Sequence, residues 1–153
     1  MAGYPILLDL GGRRVVVVGG GRIAERRVAD LVQAGADVVV VAPQVGSGLH
    51  AWAASGAVRV TPRSYEPGDL AGAWLVMAAT DDADTNARVG ADAAAAGVFC
   101  VRVDDAATGS ARVPAVARSG AFTVAVNAGD DPRRAAALRQ AIAVALDTGT
   151  LSA

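Results

Sequence analysis

The stretch VVVVGGGRIAERRV (15–28) sets three glycines between four valines and a charged run. Gly19, Gly21 and Ala24 fit the spacing G-x-G-x-x-A. That spacing counts only where a strand precedes it and a helix follows, and both are predicted here. Gly19 then permits the tight turn, Gly21 lets a pyrophosphate approach bare backbone, and Ala24 lets helix and strand pack closely. The helix N-terminus adds free N–H groups and partial positive charge. The plainer alternative is a tight strand-to-helix turn with no ligand.

The second apolar strand ends Val41-Ala42-Pro43-Gln44. A dinucleotide site usually places Asp or Glu there, about 20 residues past the glycines, to hold the adenosine ribose. Asp37 opens that strand and lies at its wrong end. Backbone or Gln44 must take over, so NAD and NADP both stay open. Arg22 and Arg26 could meet a 2′-phosphate or stand solvated. Ligands in such sheets lie beyond the carboxyl ends of the strands, which brings Pro43, Thr80, Asp81 and Asp104 toward one crevice. Asp81 and Asp82 also suit a helix cap. Asp104 and Asp105 also suit a turn.

The elements that carry these residues alternate strictly. Strands are predicted at 14–19, 37–43, 57–63, 73–80 and 98–105, and helices at 22–35, 48–56 and 82–97. Continuous apolar strands alternating with helices predict an α/β fold, a Rossmann-like parallel sheet with helices on both faces. After Asp105 the pattern changes. Two strands within 114–129, around Ser119-Gly120, read as an antiparallel hairpin. A helix follows over 131–146, with Asp131 as cap and Pro132 at its first position. The expected division is 1–112 for dinucleotide binding and 113–153 for dimerisation and substrate. The second part is too short to bury a core alone and must pack on the sheet or on a second copy of itself.

Composition narrows the function classes. Hydrophobic residues make up 53% of 153, enough for a sizeable core. Net charge is −1, against the basic surplus of a nucleic-acid binder. All 14 basic residues are Arg, which removes lysine chemistry. One Cys and one His make a structural zinc site implausible, and no metal ligand set is expected. The opening MAGYPILLDLGG has no basic n-region or long apolar core, and no apolar run approaches a membrane span. A soluble, cytoplasmic protein is expected.

YPILLDLGGRRVVVVGGGRIAERRV, WLVMAATDDADTN, FCVRVDD and SARVPAV together resemble the sirohaem (siroheme) synthase family. More narrowly, they resemble its precorrin-2 dehydrogenase / sirohydrochlorin ferrochelatase module, from about Tyr4 to Leu146. The resemblance implies NAD-dependent oxidation of precorrin-2 to sirohydrochlorin, and in many members ferrous iron insertion. It implies that Gly19, Gly20, Gly21, Arg22 and Ile23 form the NAD loop, that Pro43 and Gln44 meet the adenosine side, and that Thr80 and Asp81 flank the cofactor. Asp104 matches the family's essential aspartate. Ser110, Arg118 and Asn127 are candidates for the tetrapyrrole, and the eight carboxylates of that substrate make Arg102, Arg112, Arg133 and Arg134 candidates too. A homodimer is implied, and in many relatives fusion to a methyltransferase domain.

Two departures stand out. Family members commonly read Asn-Val-Val-Asp where this chain has Val101-Arg102-Val103-Asp104, and Ser-Thr/Ser-Gly-Gly where it has Asn127-Ala128-Gly129-Asp130. The second departure weighs more on iron insertion than on oxidation. The rival class is a nucleotide-sensing regulatory domain, which shares the glycine loop and the sheet. Such domains usually keep the acidic residue after the second strand, which is missing here.

Overall fold

The structure, a computed structural model, describes residues 3–129 and 131–150. The chain divides into two compact units, Leu7–Arg112 and Val113–Ala153 with Met1–Ile6.

The larger unit begins with β1 (Arg14–Val18), α1 (Arg22–Gln33), β2 (Asp37–Val41), α2 (Ser47–Ala54) and β3 (Val58–Thr61). A short 3-10 helix (Pro67–Leu70) precedes β4 (Leu75–Ala78), α3 (Ala83–Ala96) and β5 (Phe99–Arg102). The five strands form one parallel sheet in the order β3-β2-β1-β4-β5. The chain winds outward from β1 to β3, then returns to the other side of β1 for β4. That reversal leaves a crevice beyond the carboxyl ends of β1 and β4.

The valine runs are continuous because both sheet faces are covered. Val15, Val17, Val38 and Val40 pack with Ala24, Val28, Leu31 and Leu49 of α1 and α2. Val16, Val18, Val39 and Val41 pack with Leu70, Val89 and Ala93 on the other face. α3 starts on the Asp82 side chain, which accepts from the Asp84 and Thr85 N–H groups, and ends at Gly97 in the left-handed region.

The expected strands were generally longer than those observed. β5 stops at Arg102, although the Val103 N–H still reaches the Ala78 carbonyl at 3.1 Å. Beyond it the Asp105 carboxylate accepts the Ala107 N–H and turns the chain. The 3-10 helix has no counterpart in the sequence reading. It is fixed by Asp69, whose buried carboxylate takes two bonds from Arg63 (2.6 and 2.8 Å) and one from the Glu66 N–H.

In the smaller unit, β6 (Ala115–Ser119) and β7 (Phe122–Val126) form an antiparallel pair. Ser119 faces Phe122 in register, so the two loop residues are Gly120 and Ala121, one place later than the expected turn. α4 (Pro132–Asp147) is capped by Asp131, which accepts the Arg134 N–H. The Ser119 hydroxyl donates to Asp147 at 3.0 Å, tying the hairpin to the end of α4. Among the described residues no helix is long and apolar enough to cross a membrane.

Candidate dinucleotide site

The three glycines after β1 do different work. Gly19 has φ +122°, and a Cβ on it would run into the Ala79 carbonyl after β4. A Cβ on Gly20 would strike the Gln44 carbonyl, and its own carbonyl accepts the Gly46 N–H at 3.0 Å. A Cβ on Gly21 would meet nothing within 4 Å. Gly19 and Gly20 are therefore glycines for packing, and Gly21 alone keeps space open.

That space is a cleft of about 960 Å³. Gly19, Gly20, Gly21, Arg22 and Ile23 line it from β1 and α1, Pro43 and Gln44 from the end of β2, and Thr80 and Asp81 from the end of β4. Nine sequence-predicted cofactor residues thus share one cavity. A smaller hollow of about 370 Å³ adjoins Pro43 and Gln44, bounded by Val45, His50, Val60 and Pro62.

α1 has Gly21 as its N-cap and no side chain bonding its first-turn N–H groups. The carboxylate of Glu25, the one acid in that turn, lies against Gly46 and Gly48 at the start of α2 instead. An uncapped twelve-residue helix ending on an open glycine fits a pyrophosphate. These residues fit a dinucleotide.

The remaining candidates lie elsewhere. Asp104 sits two residues past β5 and is not part of the cleft wall. Arg102 grips it through Nε to Oδ1 (3.2 Å) and Nη2 to Oδ2 (2.7 Å). That pairing, first of all, holds the Asp104 carboxyl below the usual carboxylate range. Arg102 was expected among the cations awaiting substrate; the structure gives its charge to Asp104. The Ser110 hydroxyl accepts the Cys100 N–H at 2.8 Å, so it supports β5. Arg118 lies on β6 and Asn127 follows β7, with its side chain accepting the Gly129 N–H.

Sequence reasoning did not find Ser64, Tyr65, Thr85 and Arg88, which also line the cleft. Nor did it find Asn86, the fully buried polar residue of α3. An Asn inside a helix, where polar residues usually face solvent, was the available signal.

A family model described as "Putative NAD(P)-binding" matches residues 6–115. The chain belongs to this family. Within it the chain is similar to siroheme synthases. The protein of Pseudomonas putida (strain W619) is 45% identical over 127 residues, which are 83% of this chain and 27% of the relative. That of Xylella fastidiosa (strain M12) is 35% identical over 146 residues, 94% of this chain and 31% of the relative. The chain thus spans roughly 27–31% of the length of these curated relatives. Among solved structures, SirC, a precorrin-2 dehydrogenase, matches with TM-score 0.80 and 29% identity, over 92% of this chain and 70% of that one. The resemblance read from the sequence, to the sirohaem synthase module, is borne out, and so is the Rossmann-like fold of this NAD(P)-binding chain.

Proposed function

We propose that this chain oxidises precorrin-2 to sirohydrochlorin with NAD. The observation that carries the reading is its likeness, over 92% of its length, to a precorrin-2 dehydrogenase, in a chain whose cleft fits a dinucleotide. The regulatory-sensor reading has no comparable support.

Gly21, Arg22 and Ile23 would hold the pyrophosphate, Pro43 and Gln44 the adenosine side, and Thr80 and Asp81 the flank nearer β5. Bound there, NAD supplies the acceptor for a hydride. Oxidation also releases one proton from the macrocycle, and Asp104 is the carboxylate assigned to accept it at a side-chain oxygen. Arg102 keeps that carboxylate ionised and oriented. A carboxylate offers about four lone-pair sites, so two bonds from Arg102 leave room for the proton. Ser110, Arg118 and Asn127 remain the candidates for the substrate's polar groups.

Ferrous iron is the substrate of the second reaction in many family members. Among the described residues no cluster of three His, Cys, Asp or Glu side chains could hold a metal ion. Iron insertion would rest on Asp104 together with the tetrapyrrole's own nitrogens. A homodimer through 113–153 and a methyltransferase partner complete the reading.

The test is an anaerobic assay of precorrin-2 oxidation with NAD and NADP in parallel. Turnover with NAD supports the proposal. NAD binding without turnover would return the sensor reading.

A further inference from the structure

A carboxylate at the end of the second strand takes the ribose 2′-hydroxyl of NAD, and an Arg nearby accommodates the 2′-phosphate of NADP. Here β2 runs out through Ala42, Pro43 and Gln44. The hollow beside them is bounded by Val45, His50, Val60 and Pro62, so no acid lines that side. The acids that do line the cleft, Asp81 and Asp82, follow β4, which lies across β1 from β2. Asp82 is already committed to capping α3.

The cleft wall holds two cations, Arg22 and Arg88, and Arg26 is not part of it. Arg22 opens α1, beside the glycines. Arg88 comes from α3 and reaches the chain beyond β3. Its Nη2 donates to the Tyr65 carbonyl in a long bond of 3.4 Å, and its guanidinium carbon stands 5.7 Å from the centre of the Tyr65 ring. Ser64 and Tyr65 follow β3, the strand that pairs with β2. The Ala42 N–H still reaches the Thr61 carbonyl at 3.2 Å, so the two strand ends leave the sheet together. Tyr65 itself is buried in the cluster of Val18, Val39 and Val41, from β1 and β2. The segment that Arg88 leans on therefore belongs to the β2–β3 side of the cleft, where Pro43 and Gln44 stand.

The charge of Arg88 is not neutralised locally. The nearby acids have other partners: Asp69 pairs with Arg63, and Asp92 accepts the Tyr65 hydroxyl. Among the described residues Arg88 forms no ion pair. A guanidinium has five N–H donors and no acceptor, and the Tyr65 carbonyl takes one of them. The others can donate to ribose hydroxyl oxygens or grip a phosphate through two parallel bonds.

We propose that Arg88 sets cofactor specificity at the adenosine end of the cleft: it meets the ribose 2′ position, and with no carboxylate after β2 the site accepts NADP as well as NAD. This inference rests on the dinucleotide reading of the cleft and not on the oxidation of precorrin-2.

The experiment is calorimetry of the full chain with NAD and with NADP, at low and at raised salt. The wild type should bind the two within about tenfold of each other, and NADP affinity should fall more steeply with salt. Arg88→Ala should raise the ratio of the NADP to the NAD dissociation constant about tenfold. Arg88→Glu supplies the carboxylate that the end of β2 lacks and should raise that ratio about a hundredfold. Arg88→Lys keeps the charge and should hold the ratio within about threefold of wild type. A wild type that binds NAD and rejects NADP would overturn the inference, as would a ratio that Arg88→Glu does not move. Arg88 lies exposed on α3, so the variants should keep the wild-type circular dichroism; if one does not fold, the wild-type ratio and its salt dependence decide. If neither cofactor binds, the dinucleotide reading fails and this inference with it. If the ratios behave as expected and precorrin-2 is not oxidised, the proposed function fails and this inference stands.

Discussion

Arg102 and Asp104, two residues apart at the end of β5, form a two-pronged ion pair with bonds of 3.2 and 2.7 Å. The Arg102 side chain is 12% exposed, so the pair is fixed against the protein rather than free in solvent. Its consequence is a sign. The Asp104 carboxyl is lowered chiefly by the Arg102 bond. Activity that needs the carboxylate therefore persists below the ordinary Asp range and is lost only as pH falls through the lowered value. Arg102→Leu removes the bond and raises the Asp104 pKa, so the acid limb of kcat/KM should move to higher pH. An acid limb that stays in place in the variant would mean that another group sets it.

Asp104→Ala should cost about 10²–10⁴-fold in turnover, the usual range for a lost acid–base group, with NAD affinity little changed. Asp105→Ala should stay near wild type, because Asp105 is committed to its turn: its side chain accepts the Ala107 N–H and its carbonyl the Thr108 hydroxyl. Steady-state kinetics on both variants check this. Equal losses would show that the turn matters and the carboxylate does not.

Neighbouring glycines should fail in different ways. Gly20→Ala puts a methyl group onto the Gln44 carbonyl, so it should destabilise the fold by roughly 1–3 kcal/mol in denaturant unfolding. Gly21→Val fills open space in the cleft, so it should keep the wild-type Tm and lose NAD binding by calorimetry. The reverse pattern would move the phosphate site away from α1.

Phe122 of β7 and Leu138 and Val144 of α4 are about half exposed in the smaller unit. A symmetric second copy would cover them, as two-fold assemblies commonly do. Sedimentation should give a dimer at micromolar concentration, shifted toward monomer by Leu138→Glu. A wild-type monomer would leave that apolar surface unassigned.

Local chemistry wrote much of the fold into the sequence. Four-valine runs announce strands covered on both faces, Asp82 and Gly97 mark the ends of α3, and Pro132 marks the start of α4. The glycine spacing marked the β1–α1 turn that lines the cleft, because backbone freedom and close approach are properties of single residues. Pro43, Thr80 and Asp81 followed from one rule about strand ends, and the cleft contains them; the same rule placed Asp104 in the crevice, and the cleft wall does not include it.

What the tertiary structure alone decided depends on contacts between distant segments. Gly20 is needed because Gln44 lies on it, and Gly19 because Ala79 does. Asn86 looked like an ordinary helix residue until α3 packed on the sheet and closed its amide over Thr80. The physical reason is the same in each case. Propensity, capping and glycine freedom act within a few residues, whereas the partner of a buried polar group is chosen by whichever segment the fold brings within hydrogen-bonding distance.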